Sequence, residues 1–434
     1  MADGVGRALP VACEDWAHTK AAYRLFSNER VTEKEILSGH IEATLNRLEA
    51  TDGPVLILHD TTDFIFKRGE RLAVGWPKKN AGGRVANRLH TKSTVHMHGS
   101  LAVTLDGLPL GLAAAKIWER PDITPRRKLP DREYKALPLE QKESYRWFEN
   151  MRDAINRPGL PERCIHVADR EADMLALYHF AQEHKTHFLV RANYNRPTDR
   201  TGGTIAGRMN KVPVAGTRSV TFKDASGAMH TADLQIKYSK MTIVRSRHKR
   251  TDLPPIEVTI IHAYEKGKPK SRPRLEWKLA TNLEVKTLAQ AVEKLDWYAM
   301  RWKIETFHKI LKSGCKVEDS KMRTTHRLTN LIAVSCILGW RIFWMTMVKR
   351  LKEKASPELA LTKLERLLLD RKIKDKNGPV TKDLAYYVNK IARLGGYLNR
   401  ANDPPPGNLV MWRGMTRLSD MTLGAELMVE LVGN

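Results

Sequence analysis

The sequence predicts an α/β protein: a mixed β-sheet core with flanking helices, an inserted β-rich subdomain and a helical C-terminal region. Three observations predict it. Two short apolar runs, Val55-Leu-Ile-Leu58 and Ile165-His-Val-Ala168, each deliver an aspartate at or just past their end. A pair of apolar runs flanks Asp106-Gly107, the dipeptide that favours a tight antiparallel hairpin. Helical periodicity alternates with such runs as far as Arg191, gives way to a Gly-, Pro-, Thr- and Val-rich texture, and returns after Leu288. A hairpin followed by strand–helix alternation implies a mixed sheet with helices on it.

Residues 1–50 read as a helical region. Lys20-Ala-Ala-Tyr-Arg-Leu-Phe26 has apolar residues at helical spacing, and Thr32-Glu-Lys-Glu35 is a capping box with Thr32 as N-cap and Glu35 at N3. The helix continues through Ile36, Ile41 and Leu45. Residues 51–195 form the first part of the core. Val55–Leu58 reads as a buried strand delivering Asp60 at its end. The weakly alternating run His98–Thr104 and the run Leu110–Trp118 make the hairpin. A helix is expected from Leu137 to Ile155, then a strand ending in Asp169, a helix through Met174, Leu177 and Phe180, and a strand Phe188–Arg191.

Residues 196–281 read as the inserted β subdomain, with strands at Leu234–Lys237, Met241–Val244 and Ile256–Ile261. Residues 282–350 return to the core as helix, and residues 351–434 form the C-terminal helical region, broken at Pro357, around Asn377-Gly-Pro379, and at Pro404-Pro-Pro406. Leu331–Val348 is the most membrane-like stretch, but it contains Arg341 and is bounded by Arg327 and Lys349, which suits a buried helix. No basic segment followed by an apolar core opens the chain, so no signal peptide is read and a cytoplasmic protein is expected.

Composition narrows the function. The 434 residues include 74 Lys and Arg against 49 Asp and Glu, a formal net charge of +25, which favours a polyanionic partner such as nucleic acid. The stretch Lys237–Lys278 holds 12 of those cations against 4 acids, giving the β subdomain a basic face; Arg245-Ser-Arg-His-Lys-Arg250 reads as an exposed basic loop. Four scattered cysteines with no CxxC pair exclude a disulfide scaffold and a zinc ribbon. No phosphate-binding P-loop, dinucleotide fingerprint or HExxH pair is present. His90, His96 and His98 lie close together and could pair on a metal.

The chemistry-bearing stretch is Tyr298-Ala-Met-Arg301-Trp-Lys-Ile-Glu305-Thr-Phe-His308-Lys309-Ile-Leu-Lys312. On a straight α-helix Arg301, Glu305 and Lys312 fall about 60°, 20° and 40° from Tyr298, one polar stripe opposite Ile304, Phe307, Ile310 and Leu311. Alone, the stripe reads as a solvated face with an ordinary Arg301–Glu305 pair. Asp60 could cap a turn, and Asp169 could be the N-cap of the next helix with Glu171 in its first turn. Together, two aspartates past strand ends and one glutamate on a later helix could bind one or two hard cations such as Mg²⁺ and support in-line phosphoryl transfer.

The spacing Tyr298-xx-Arg301-xxx-Glu305-xxxxxx-Lys312 resembles the Y-R-E-K signature of insertion-sequence 4 family transposases, especially the transposon five transposase group. The resemblance extends over Asp60-Thr-Thr, Asp169-Arg-Glu-Ala-Asp173 and Ile391-Ala-Arg-Leu-Gly-Gly396, from about Lys20 to the end of the chain. It implies a ribonuclease H-like core whose catalytic and metal-binding triad is Asp60, Asp169 and Glu305, using two Mg²⁺ ions or Mn²⁺ in their place. It further implies DNA contacts from Tyr298, Arg301, Lys312, Arg191, Lys309 and His308, and a Trp277 that stacks on a flipped base during hairpin formation. Relatives carry a further N-terminal stretch with a Gly-Asp-x-Arg-type motif, so residues 1–50 are expected to be a shortened DNA-binding domain. The expected partners are transposon-end DNA, target DNA and a second copy of the chain on DNA, with no membrane. The alternatives are a catalytically silent, transposase-derived DNA-binding protein lacking the N-terminal end-recognition region, and a metal-dependent nuclease without strand transfer.

Overall fold

The computed structural model describes residues 16–68, 91–120, 129–157, 159–199, 201–223, 229–244, 253–267, 269, 272–351, 356–375, 381–400 and 403–432. The expectations for His90, for the loop Arg245–Arg250 and for the break at Asn377-Gly-Pro379 lie outside them. The described strands are β1 Val55–Arg68, β2 Thr91–Val103, β3 Pro109–Glu119, β4 Cys164–Ala168, β5 His187–Arg191, β6 Gly216–Lys223, β7 Met229–Ile243, β8 Ile256–Glu265 and β9 Glu276–Thr281. They form one mixed sheet in the order β3-β2-β1-β4-β5-β9-β8-β7-β6. The mixed α/β architecture read from the sequence is the one observed, and it fits a ribonuclease H-like core.

The described helices are α1 Trp16–Ser27, α2 Glu33–Glu49, α3 Asp131–Ala136, α4 Arg146–Ala154, α5 Leu175–Glu183, α6 Ile205–Lys211, α7 Leu288–Ala299, α8 Trp302–Lys309, α9 Thr325–Leu351, α10 Lys363–Lys372, α11 Leu384–Leu394 and α12 Asn408–Val432. The chain divides into two compact units. One holds residues 48–60 and 143–303; the other holds residues 1–47, 61–142 and 304–434. Strand β1 and helix α8 each contribute residues to both.

In the first unit the sheet is parallel at its centre. Leu58 of β1 is in register with Val167 of β4, and Val167 with Leu189 of β5. All five residues of β4 are buried, as expected of a strand covered on both faces. Burying each of Ile165, Val167, Phe188 and Leu189 is worth about 1.5–3 kcal/mol. β9 pairs antiparallel with β5, so the inserted strands extend this same sheet. On one face, Trp147 of α4 meets His59 with ring centroids 6.0 Å apart, and Tyr178 of α5 stacks on Phe188 at 4.3 Å. The other face takes α7, which packs against β4, β5 and β7 and starts with a complete capping box between Thr287 and Gln290.

In the second unit the Asp106-Gly107 hairpin forms as read. Gly107 has φ +90°, a conformation that favours glycine, and its N–H donates to the Thr104 carbonyl over 2.8 Å. The capping box at Thr32 is present, with the Thr32 N–H donating to Glu35 at 2.8 Å and the Glu35 N–H to Thr32 Oγ1 at 3.3 Å. Helix α9 is long and apolar enough to cross a membrane by length and composition, yet 61% of its apolar window is buried inside the fold. That matches a core helix. The motif Ile391-Ala-Arg-Leu-Gly-Gly396 ends α11, and Gly395 and Gly414 let the backbones of α11 and α12 touch. A Cβ on Gly395 would overlap the Val410 carbonyl, and one on Gly414 the Ile391 carbonyl.

Three expectations need correcting. β1 does not stop at Asp60; it runs on to Arg68, because Thr62, Phe64 and Phe66 keep a buried alternation beyond the point where β4 ends. The helix expected over Leu137–Ile155 is α only over Arg146–Ala154. Pro138 interrupts it, and two 3-10 turns occupy Leu139–Gln141 and Glu143–Tyr145. The straight helix assumed through Tyr298–Lys312 is three segments: α7, α8, and a π turn at Ile310–Gly314.

Candidate active site

The register of the first unit decides which residues share a face. Asp60 lies two positions past Leu58, and Asp169 two past Val167, which are partners. Arg191 lies two past Leu189, the β5 partner of Val167. Side chains two apart on a strand point the same way. Asp60 on β1, Asp169 in extended backbone just past the end of β4, and Arg191 at the end of β5 therefore fall in one row on one face, at the carboxyl edge where ligands bind in such sheets. Neighbours in such a row stand about 4.8 Å apart. Arg191 is in turn the partner of Leu279 in β9, and Trp277, two residues from Leu279, presents the same face.

Helix α7 brings the remaining groups to that face. It ends in a tight turn in which Met300 N–H reaches the Trp297 carbonyl at 3.1 Å and Arg301 N–H the Tyr298 carbonyl at 3.0 Å. In such 3-10 geometry, side chains three apart eclipse one another. Tyr298 and Arg301 are thus placed one above the other, and the Arg301 guanidinium hydrogen-bonds the Tyr298 hydroxyl. The same guanidinium lies 3.9 Å from the Asp60 carboxylate. The Trp277 ring meets the Tyr298 ring edge-on, with centroids 5.6 Å apart. Burial pushes the Tyr298 hydroxyl above the usual phenol pKa; the charges of Arg301 and Arg191 work against that rise, and Asp169 adds to it. Tyr298 is therefore a neutral donor at physiological pH.

Asp169 also serves locally. Its Oδ1 accepts from the Glu171 N–H at 2.9 Å, so it caps the 3-10 turn Arg170–Ala172 as well as standing in the row. Glu171 is held by Arg146 at 2.7 Å. Arg191 is braced by a bond from its Nη2 to the Glu276 carbonyl at 2.9 Å. Six of the ten residues singled out from sequence, Asp60, Asp169, Arg191, Trp277, Tyr298 and Arg301, thus belong to one connected face of one unit.

The other four belong to the second unit. Glu305 and Lys309 are exposed on α8. The Lys312 ammonium lies 5.8 Å from the Phe64 ring centroid, inside the π turn, where the Cys315 N–H reaches back five residues to the Ile310 carbonyl at 3.0 Å. That turn breaks the straight-helix stripe in which Lys312 was placed. His308 is 5% exposed and packs beside Gly99 and Ile304, so its imidazole faces the core rather than solvent, contrary to the DNA-contacting role implied for it.

Asp60 and Asp169 supply hard oxygen donors side by side, which suits a divalent cation of the Mg²⁺ type. Among the described residues no group of three or more His, Cys, Asp or Glu side chains is gathered closely enough to hold an ion. Asp60 is instead matched by Arg301 and Asp169 by a backbone amide. The His96/His98 pair is likewise engaged. His96 Nδ1 bonds Asp63 at 2.7 Å and His98 Nδ1 bonds Thr61 at 2.9 Å, both imidazoles being fully buried. Sequence reasoning missed these partners because it ended β1 too early.

Comparison with known families gives two matches. Residues 1–31 match the family model for transposase DNA-binding, and residues 148–338 match that for the transposase DDE domain. The second stretch contains Asp169, Arg191, Trp277, Tyr298, Arg301 and Glu305. DDE domains of this kind work with divalent metal ions and act on DNA. The chain therefore carries a match to a transposase DNA-binding domain and a match to a transposase DDE domain, which together support a transposase reading.

Proposed function

We propose that this protein is a cut-and-paste DNA transposase of the insertion-sequence 4 family, similar to the transposon five group. The observation that carries the reading is the Asp60–Asp169–Arg191 row with Tyr298, Arg301 and Trp277 over it. Two adjacent carboxylates ringed by guanidinium groups suit a phosphodiester whose charge increases during displacement. Glu305 is the proposed third carboxylate, on the strength of its place in the Tyr298–Lys312 signature and inside the DDE match.

In this reading Asp60, Asp169 and Glu305 hold Mg²⁺, one or two ions, or Mn²⁺. The bound cation supplies Lewis-acid stabilisation of the attacking and leaving oxygens. Arg191 and Arg301 position the phosphate, Tyr298 donates from a dry site, and Trp277 receives a flipped base. Lys309 and Lys312 contribute further phosphate contacts. Four in-line displacements complete the cycle. Water attacks phosphorus at the transposon end and releases a 3′-OH. That hydroxyl attacks the opposite strand, closing a hairpin. Water reopens it, and the 3′-OH joins target DNA. Each step makes one P–O bond and breaks one, so a single site serves all four. The protein is proposed to work in the cytoplasm on the nucleoid, as a dimer on DNA assembled partly through the helices after about residue 355.

The test is cleavage of end DNA, taken from the sequences flanking the reading frame, in Mg²⁺. Wild type is expected to cleave and Glu305→Gln to be silent. Equal cleavage by both overturns the triad. Binding without cleavage by wild type points instead to a silent DNA-binding protein, and cleavage without joining of pre-cut ends to a plain nuclease.

A further inference from the structure

The segment that follows β5 carries an exposed aromatic ring on a fixed backbone. The Tyr194 side chain leaves the residue 54% exposed. Its N–H nevertheless donates to the Asp173 carboxylate at 2.9 Å, and the Asn193 N–H does so at 2.6 Å. The Asp173 side chain is only 1% exposed. It also accepts from the buried Tyr178 hydroxyl at 2.7 Å and pairs with Arg196 at 2.6 Å. Arg196 then turns its guanidinium over the Tyr194 ring, 5.1 Å from the centroid. One buried carboxylate thus ties the turn after Asp169 to the segment after Arg191.

Single exposed apolar groups on a surface are ordinary. Tyr194 differs in being ordered already, so a ligand that stacks on it has little chain entropy left to remove. It also lies three residues beyond Arg191. An extended chain covers at most about 11 Å in that interval, so the ring stays near the carboxyl edge where Asp60, Asp169 and Arg191 line up. An aromatic ring backed by a guanidinium beside a phosphate-binding row has the make-up of a nucleotide-stacking platform.

We propose that Tyr194, with Arg196 behind it, is a stacking site for one unpaired base of the DNA held at the acidic row, separate from Trp277. The proposal rests on the DNA-processing reading above. Base pairs inside a duplex hide their faces in their own stack, so the ligand is a base in an overhang, a frayed end or a flipped-out position. Stacking is tolerant of base identity, so the site selects for unpaired structure and not for sequence.

The test uses the full-length chain and three probes: a blunt duplex, the same duplex with a short single-stranded overhang, and that overhang carrying 2-aminopurine. Binding is read by fluorescence anisotropy and stacking by quenching of the 2-aminopurine. Wild type is expected to bind the overhang probe more tightly than the blunt one and to quench. Tyr194→Ala and Tyr194→Leu should weaken overhang binding about 5- to 100-fold, abolish the quench, and leave blunt-duplex affinity unchanged. Tyr194→Phe should match wild type, and the Tyr194-dependent quench should persist in Trp277→Ala. Unchanged overhang affinity and quench in Tyr194→Ala, or an equal loss on both probes, overturns the stacking site while leaving the transposase reading intact. A wild type that binds none of the probes overturns the DNA-processing reading itself, and this proposal with it.

Discussion

The Arg301 guanidinium stands 3.9 Å from the Asp60 carboxylate and hydrogen-bonds the Tyr298 hydroxyl, so one side chain links the acidic row to the aromatic pair above it. Both members of the Arg301–Asp60 pair are about one-fifth exposed. A pair of that kind contributes at most about 1 kcal/mol to stability, less in salt. Arg301→Ala is therefore expected to shift the melting temperature by only a few degrees while lowering DNA cleavage at least tenfold. Arg301→Lys should recover charge but not the planar fork, and so restore activity only in part. Melting curves and end-cleavage rates on the same preparations check this. A variant that unfolds at room temperature, or one that cleaves at the wild-type rate, contradicts it.

Asp169 has two duties that a single substitution separates. It caps the turn Arg170–Ala172, and it stands beside Asp60 in the row. Asparagine caps nearly as well as aspartate but carries no charge. Asp169→Asn should keep stability within about 1 kcal/mol of wild type and lose cleavage altogether. Asp169→Ala should lose both cleavage and about 1 kcal/mol more. Chemical denaturation measures the first effect and a cleavage assay the second. Retained cleavage in Asp169→Asn would leave Asp169 with a purely structural role.

Why these residues were legible from the sequence, and others were not, follows from the range of the forces that place them. Val55–Leu58 and Ile165–Ala168 announce themselves because a strand buried on both faces must be apolar at successive positions. The hairpin is visible in Asp106-Gly107 and the capping box in Thr32 and Glu35, each a local rule of backbone chemistry. The break after Ala299 carries no such mark, for neither glycine nor proline occurs there. The π turn at Ile310–Gly314 is set from far away: the Gly314 backbone lies against the Trp412 ring of α12, where a Cβ would come within 3.0 Å. Helical projection therefore places Tyr298 and Arg301 together, as the structure does, but gives the wrong geometry at Lys312. The buried state of His308 was invisible for the same reason, because the wall that covers it includes Gly99 on β2.

Trp277 tests whether an aromatic in a strand serves packing or substrate. It is half-buried and meets Tyr298 edge-on, with ring centroids 5.6 Å apart, an arrangement worth about 0.5–1.5 kcal/mol beyond area burial. Packing alone predicts that Trp277→Ala slows every step alike through lost stability. A base-stacking role predicts that hairpin closure suffers more than first-strand nicking, with Trp277→Phe intermediate. Gel assays that resolve nicked and hairpin products give the two rates separately. Equal loss at both steps would assign Trp277 to packing.

His40 gives the second unit a predictable response to acid. Its Nε2 accepts the Leu112 N–H at 3.1 Å, so the bond exists only while the imidazole is neutral. Burial, with the charge of Arg47 adding to it, lowers its pKa from 6.5 to about 4. The folded chain then binds fewer protons than the unfolded chain between those two values. Stability from this group is complete above about pH 6.5, falls as the pH drops, and is fully lost near pH 4. The loss amounts to about 3 kcal/mol over the window. His40→Gln offers an amide oxygen to the same N–H and has no proton to gain. Melting curves between pH 7 and pH 4.5 should therefore show a shallower decline for His40→Gln than for wild type. Parallel declines in the two proteins would remove His40 as a source of acid sensitivity.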